Sequence, residues 1–407
     1  MRALSEGLIT GLRKISVLPY DGRMRFMISP TLLIVSSVGA ALGILFPITW
    51  VLAPLSLALF FYGLLKAQTW KTVLVHGLVF GLFTGGAGIW WFWDTLPLDW
   101  LGLKNLQVGW MLVFLSWGPV TLMFALVTAL GALLIWSMRR LPFATLLIAL
   151  LWMLTEEARM WGFSWLTYAE RGFLGPHFSS TSIGYPLAES SYLLQLGAFG
   201  GVFVLNFAAA LFAGVLAYAA LRDISSRMIP GAIALLMVAF LPFVAPAPPQ
   251  ASEPLTVALG YMNIPVGTIH AENQFTNLLT QMVAQAPEAS LYVLPEEKRL
   301  NSPFVNELER KAFYKTLFKE REVLVLSSNH VPAEPTGFNI FLWYENGHGD
   351  LLHTYSKRFF MPGGEYMPHA MLAVFSLAPD SALTDFVNAL PTKAPEPTPL
   401  SSVPFGG

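Results

Sequence analysis

"QVGWMLVFLSWGPVTLMFALVTALGALLIW" (residues 107–136) runs for thirty residues without a single Asp, Glu, Lys or Arg. A segment needs ~20 predominantly apolar residues to cross the ~30 Å hydrocarbon core of a bilayer. This run exceeds that length, and Pro119 inside it is a candidate kink. Further apolar runs recur at 29–48, 50–65, 71–93, 141–157, 191–221 and 228–245. So many long runs rarely coexist in a soluble protein, and seven membrane spans are expected.

Composition points the same way. Charged residues make up 12% of the 407, about half of the ~25% usual in soluble domains. Apolar residues make up 55%, and the mean hydropathy is +0.56. The net charge of −1 gives no basic footprint for nucleic acid. Zero cysteine excludes disulfides and thiolate metal sites. The seven histidines are scattered without H-E-x-x-H spacing, so neither a metal nor a cofactor is expected.

Basic residues set an orientation. Arg13, Lys14, Arg23 and Arg25 precede the first run. Lys66 and Lys71, then Arg139 and Arg140, then Arg222 and Arg227 occupy alternate loops. The intervening loops are poorer in cations: the first has none, the third carries Asp94 and Asp99 against Lys104, and the fifth carries Glu156, Glu157 and Glu170 against Arg159 and Arg171. The positive-inside rule then predicts a cytoplasmic N-terminus. Seven crossings place everything after residue 245 outside. The first run lacks a small-residue cleavage site and reads as a retained anchor. His76, close to the start of the third run, is the one ionisable residue expected toward the inside of a span.

Two segments of the bundle stand out. "GGAGIWWFWDTLPLDW" (85–100) reads as an aromatic belt above a small-residue packing patch, or as a lipid-binding wall beside an external site. "TEEARMWGFSWLTYAERGF" (155–173) reads as an amphipathic segment in an outer loop.

After "LPFVAPAPPQASEP" (241–254) the pattern changes. Strands are expected at 255–264, 290–296 and 322–329, helices at 268–285 and 303–320, and a hairpin over 338–357 around Asn-Gly-His-Gly. His348 and His353 flank that hairpin as solvated residues. Alternating strand and helix make an α/β region. The expected division is a helical bundle over 1–245, a Pro-rich linker over 246–254 and an extracytoplasmic domain over 255–407.

Three charged residues invite chemistry. Glu296 follows the apolar strand "LYVLP"; a carboxylate at a strand's carboxyl end is partly desolvated, which suits a general base. Lys357 leaves the second hairpin strand, where an ammonium can face a developing oxyanion, and Glu365 follows a Gly-Gly turn. Each has an ordinary alternative as a solvated surface charge.

"GYMNIP" (260–265), "VLPEE" (293–297) and "YSKRFFMPGGEYMP" (355–368) occur in that order after the seven runs. Together they resemble bacterial apolipoprotein N-acyltransferases, whose outer domain is of the nitrilase (carbon–nitrogen hydrolase) type. "LLQLGAFGGVFVLNFAAAL" (193–211) is similar to that family's Gly-rich sixth span. The resemblance implies a polytopic α-helical membrane bundle followed by an incomplete α/β nitrilase-like (αββα) domain. It implies Glu296 as general base, Lys357 as oxyanion stabiliser and Glu365 as supporting acid. It also implies a reaction: an acyl chain moves from a glycerophospholipid to a cysteine thiolate, then to the N-terminal amine of a diacylglyceryl-cysteine lipoprotein. The setting implied is the bacterial cytoplasmic membrane, with a monomeric protein whose partners are phospholipid and lipoprotein.

The family's nucleophilic cysteine belongs to a Cys-Tyr-Glu-like motif some tens of residues beyond the lysine. This sequence reaches Gly407 without a cysteine. The expectation is a C-terminally truncated member, inactive by itself. Two other classes compete: a non-catalytic membrane scaffold or lipid-binding protein with a degenerate nitrilase-like domain, and an outward-facing transporter.

Overall fold

The computed structural model describes residues 30–98, 103–170, 178–179, 181–223, 225–244, 255–261, 274–295, 306–319, 321–332, 338–356, 362 and 366–376. The apolar runs form helices: α1 (Pro30–Leu45), α2 (Leu52–Lys66), α3 (Trp70–Gly88), α4 (Leu106–Met138), α5 (Ala144–Leu166), α6 (Gly201–Ala220) and α7 (Ile229–Val244). By length and composition α4 and α6 can each cross a membrane; α1, α2 and α7 are apolar but shorter. The 33-residue α4 is ~50 Å long at 1.5 Å per residue and continues through Pro119. Its start is fixed by Asn105, whose side chain accepts from the amides of Gln107 and Val108.

Two runs end differently from expectation. Residues 191–221 are not one helix. A single turn (Ser191–Leu194) and a 3₁₀ turn (Gln195–Phe199) precede α6, and Gly201 adopts φ +61°, a left-handed conformation that glycine takes without a Cβ clash. The run expected to stop at 157 continues to Leu166, so Glu156 and Arg159 lie inside α5 rather than in an outer loop.

Small residues let the helices approach. A Cβ on Gly81 of α3 would stand 2.6 Å from the Ala125 Cα of α4, and one on Gly77 2.5 Å from the Ala129 Cα. The core centres on Phe60, Phe80 and Trp152, with the two phenyl rings stacked at 4.1 Å and the indole edge-on to both.

Hydrogen bonds gather the basic loops at one end of the bundle. Trp136 Nε1 donates to Ala67 O at 2.8 Å, and Tyr218 Oη donates to Arg139 O at 2.6 Å. The Phe143 and Thr145 amides donate to Ser226 O and Arg227 O. The α2–α3, α5-entry and α6–α7 turns therefore lie together, carrying Lys66, Arg139 and Arg227. The residues before 30 lie outside the description.

The C-terminal part carries a five-stranded mixed sheet of order β1-β2-β3-β4-β5: β1 (Val257–Leu259), β2 (Leu291–Val293), β3 (Leu324–Pro332), β4 (Phe338–Asn346) and β5 (Leu351–Ser356). The first three strands are parallel, and β4 and β5 form the expected hairpin. Helices α8 (Gln274–Gln285) and α9 (Glu307–Phe318) cover one face, where Ala258, Tyr292 and Val325 meet Leu279, Tyr314 and Phe318. The opposite face is apolar and open among the described residues: Val257, Leu259 and Leu324 are 41%, 75% and 42% exposed. The linker expected at 246–254 lies outside the described residues. His353 is half-buried against Tyr344, with ring centroids 6.0 Å apart, rather than solvated, because its strand lies beside β4.

The hairpin turn is held by charge. Lys311 Nζ lies 3.0 Å from Glu307 Oε1 and 2.9 Å from Asp350 Oδ1. Hydrogen bonds from Lys311 hold both carboxyls below their ordinary pKa. Depressed carboxyls stabilise the fold above their unfolded pKa, and this is lost as pH falls through the folded one. Exchange protection of the Gly349 and Asp350 amides is therefore expected to fall below about pH 4. About 1 M salt at neutral pH, where the screening length is ~3 Å, is expected to weaken it as well.

Candidate functional site

The polarity of the sheet decides where its exits lie. Because β4 is antiparallel to both β3 and β5, β5 runs parallel to β1, β2 and β3. The chain leaves β1, β2 and β5 at one edge, the carboxyl edge where α/β sheets gather ligands. Glu296 follows the exit of β2 and Lys357 the exit of β5. Those exits are three strand spacings apart across the sheet, about 14 Å, and β5 ends three residues further along than β2. Glu296, Lys357 and Glu365 themselves lie outside the described residues.

Residues on either side of Glu365 are described, and they join the sheet region to the bundle. Tyr366 is buried; its hydroxyl donates to Thr167 O at 2.9 Å, just beyond α5. The His369 amide donates to Tyr168 O at 3.0 Å. His369 opens α10 (His369–Phe375), whose Val374 and Phe375 pack against Leu98, Leu103, Leu112 and Val113. This junction is at the end of the bundle opposite the basic loops.

The junction encloses a cavity of about 340 Å³. Trp91 and Phe92 form one wall, Leu112 and Val113 of α4 another, and Met371 and Val374 of α10 a third, with Pro362 also lining it. Thr95, Ser116 and Thr167 contribute its few polar groups. Its floor is an aromatic stack: Phe163 lies 4.3 Å from Phe178 and 6.3 Å from Phe124. An enclosure lined this way favours hydrocarbon over a charged solute.

Behind the floor stands a buried ion pair that sequence reasoning had assigned to a loop. Arg159 Nη1 is 3.3 Å from Glu156 Oε1, and both side chains are 1% exposed. The Arg159 guanidinium lies over the Phe124 ring at 5.0 Å, and its Nη2 points to Thr181 O at 3.5 Å. Among the described residues Arg159 Nε has no hydrogen-bond partner. With His76, these are ionisable groups buried in the bundle, and the periodic burial of Trp152, Glu156, Arg159 and Phe163 was the signal that could have found them. No cluster of metal-ligating residues occurs among the described residues.

Fold and cavity define a helix-bundle protein with an apolar site between the bundle and α10, and with a small mixed sheet in its C-terminal part. Residues 36–215 match the family model for the apolipoprotein N-acyltransferase N-terminal domain. From within α1 to within α6 the bundle is therefore similar to the N-terminal domain of apolipoprotein N-acyltransferases. No curated protein matches the chain.

Proposed function

We propose that this chain serves an apolipoprotein N-acyltransferase reaction and holds the acyl chain of the glycerophospholipid donor in the cavity between α4, α5 and α10. The carrying observation is the apolar pocket of about 340 Å³ whose lining includes Pro362, three residues before Glu365 in the sequence. In this reading the bundle crosses the bacterial cytoplasmic membrane seven times with its N-terminus inside. Residues 1–245 form the bundle, 246–254 a linker, and 255–407 part of a nitrilase-like domain on the outer side. The basic end of the bundle then faces the cytoplasm.

The chemistry proceeds in two steps. A thiolate attacks the ester carbonyl; a C–S bond forms, the C–O bond breaks, and the departing lysophospholipid oxygen takes a proton from Glu296. The α-amine of a diacylglyceryl-cysteine then attacks the thioester. A C–N bond forms, the C–S bond breaks, and Glu296 accepts the amine proton. Lys357 stabilises the oxyanion in both steps and Glu365 supports the site. The 407 residues contain no cysteine, so the thiolate comes from outside them. No cofactor is needed, and a monomer suffices.

The test uses the chain in phospholipid vesicles with a donor lipid carrying a photoactivatable acyl chain. Adducts are expected on the 112–120 face of α4 and on α10, with Val113→Trp depleting them and a diacylglyceryl-cysteine peptide competing. Adducts spread evenly over the exposed face of α7 would overturn the cavity assignment. Adducts at the cavity without peptide competition would favour the lipid-binding scaffold, a reading supported by the absent cysteine. The chain alone is expected to acylate no peptide; transfer by it would sink the thioester route.

A further inference from the structure

One wall of the cavity is a two-turn 3₁₀ segment, Trp90–Thr95. A 3₁₀ helix repeats every three residues, so side chains at i and i+3 share one face. Trp90, Trp93 and then Leu96 form one row, while Trp91, Phe92 and Thr95 face the cavity. The outer row does not lie against bare surface. With Pro97, Leu106, Trp110 and Trp117 it lines a second groove of about 440 Å³. Trp93 is its centre: its ring lies 6.2 Å from Trp90, 5.4 Å from Trp110 and 5.9 Å from Trp117. Trp90 and Trp110 are half-exposed, at 50% and 55%.

The groove offers little to a polar ligand. The Trp117 indole N–H is already given to Gly86 O at 3.2 Å, and the Trp93 N–H is buried, without a partner among the described residues. No charged side chain lines it. It is therefore a hydrocarbon site rather than a headgroup site, and it lies one helical turn's thickness from the cavity. Two hydrocarbon sites that close together match two chains joined at one glycerol.

We infer that the Trp90–Trp93–Trp110 groove holds the second acyl chain of the same diacyl lipid whose first chain enters the cavity. The lipid thus straddles the Trp90–Thr95 segment, and the site selects two-chain over one-chain lipids. This rests on the cavity being the donor site. It assigns the clustered tryptophans a role that a general aromatic belt does not, because a belt distinguishes no chain number.

The experiment measures displacement of the photoactivatable donor by diacyl phosphatidylglycerol and by its monoacyl counterpart, using the full chain in vesicles. Trp90→Ser and Trp110→Ser alter half-exposed positions; Val113→Trp blocks the cavity. Each tryptophan variant is expected to weaken the diacyl competitor about tenfold, as loss of one large apolar contact does, with the monoacyl competitor within about twofold of wild type. Equal weakening of both competitors, or of neither, while Val113→Trp weakens both, would overturn the inference and leave the donor-site reading standing. No effect of Val113→Trp on either competitor would overturn the donor-site reading itself. If the tryptophan variants instead discriminate choline-headed from glycerol-headed diacyl lipids, the groove is an indole cage for a quaternary ammonium and the second-chain assignment fails.

Discussion

Arg159→Leu is expected to destabilise the bundle by ~3–5 kcal/mol, the usual cost of removing one partner from a buried ion pair. Glu156 is 1% exposed and would be left inside without its counter-charge. The loss also reaches the cavity floor. Arg159 lies over Phe124, Phe124 stacks with Phe163, and Phe163 with Phe178. Detergent-denaturant unfolding of the purified variant reads the stability change, and photo-labelling of the cavity reads the second effect. The pair is incompletely served, since Arg159 Nε lacks a hydrogen-bond partner among the described residues. Glu156→Gln with Arg159→Met is therefore expected to recover most of the lost stability, because an apolar or neutral replacement spares both desolvation costs. A double variant as damaged as the single one would show that the pair is needed for more than mutual neutralisation.

Arg310→Met is expected to cost a similar ~3–5 kcal/mol in the sheet region, with a different recovery. Arg310 pairs with Glu345 through Nη1 and donates to Gly349 O through Nη2 at 3.3 Å; Tyr314 Oη donates to Glu345 Oε2 at 2.9 Å. Both oxygens of the carboxylate are thus engaged. Burial pushes the Glu345 pKa up, and Arg310 pulls it back down. Without Arg310 the carboxyl rises further and takes up a proton. A raised folded-state pKa contributes stability that is present below the unfolded value and lost as pH rises through the folded one. The variant should accordingly unfold more readily at pH 8 than at pH 5, as followed by tryptophan fluorescence of Trp343. Equal deficits at both values would mean that packing over Trp343, where the guanidinium lies 5.3 Å from the ring, accounts for the loss instead.

These two arginines also show what the sequence could reveal. The apolar runs located the helices well where apolarity was unbroken: 107–136 became Leu106–Met138, and 228–245 became Ile229–Val244. The boundary at 157 failed because the cluster Thr-Glu-Glu-Ala-Arg was read as solvent-facing. Residues three apart on a helix neutralise each other, so two charges there do not require water. The hairpin was legible from Asn-Gly-His-Gly between two apolar strands. Helix α10 was not, since seven residues after a Gly-Gly turn are too few for a helical period to show. The cavity was legible only in part: 85–100 admits a reading as a lipid-binding wall and supplies residue 91, but its meeting with residues 112, 163 and 371 comes from tertiary packing alone. Of the candidate site, strand polarity brings the exits toward Glu296 and Lys357 to one edge; those residues and Glu365 lie outside the described chain.

The hydrogen bond from Tyr366 to Thr167 spans 199 residues of sequence, and that separation is also an interval of time. A ribosome adds ~5–20 residues per second, so roughly 10–40 s pass between synthesis of the acceptor and of its donor. Throughout that interval the carbonyls of Thr167 and Tyr168, at the end of α5, have neither Tyr366 nor His369 to serve them and must rely on water. The bundle can be complete in every helix and still unfinished at this end. A fastening at this end is made by the same few residues that follow Glu365, so closure of the cavity wall and arrival of the candidate catalytic segment are one event in the birth of the molecule.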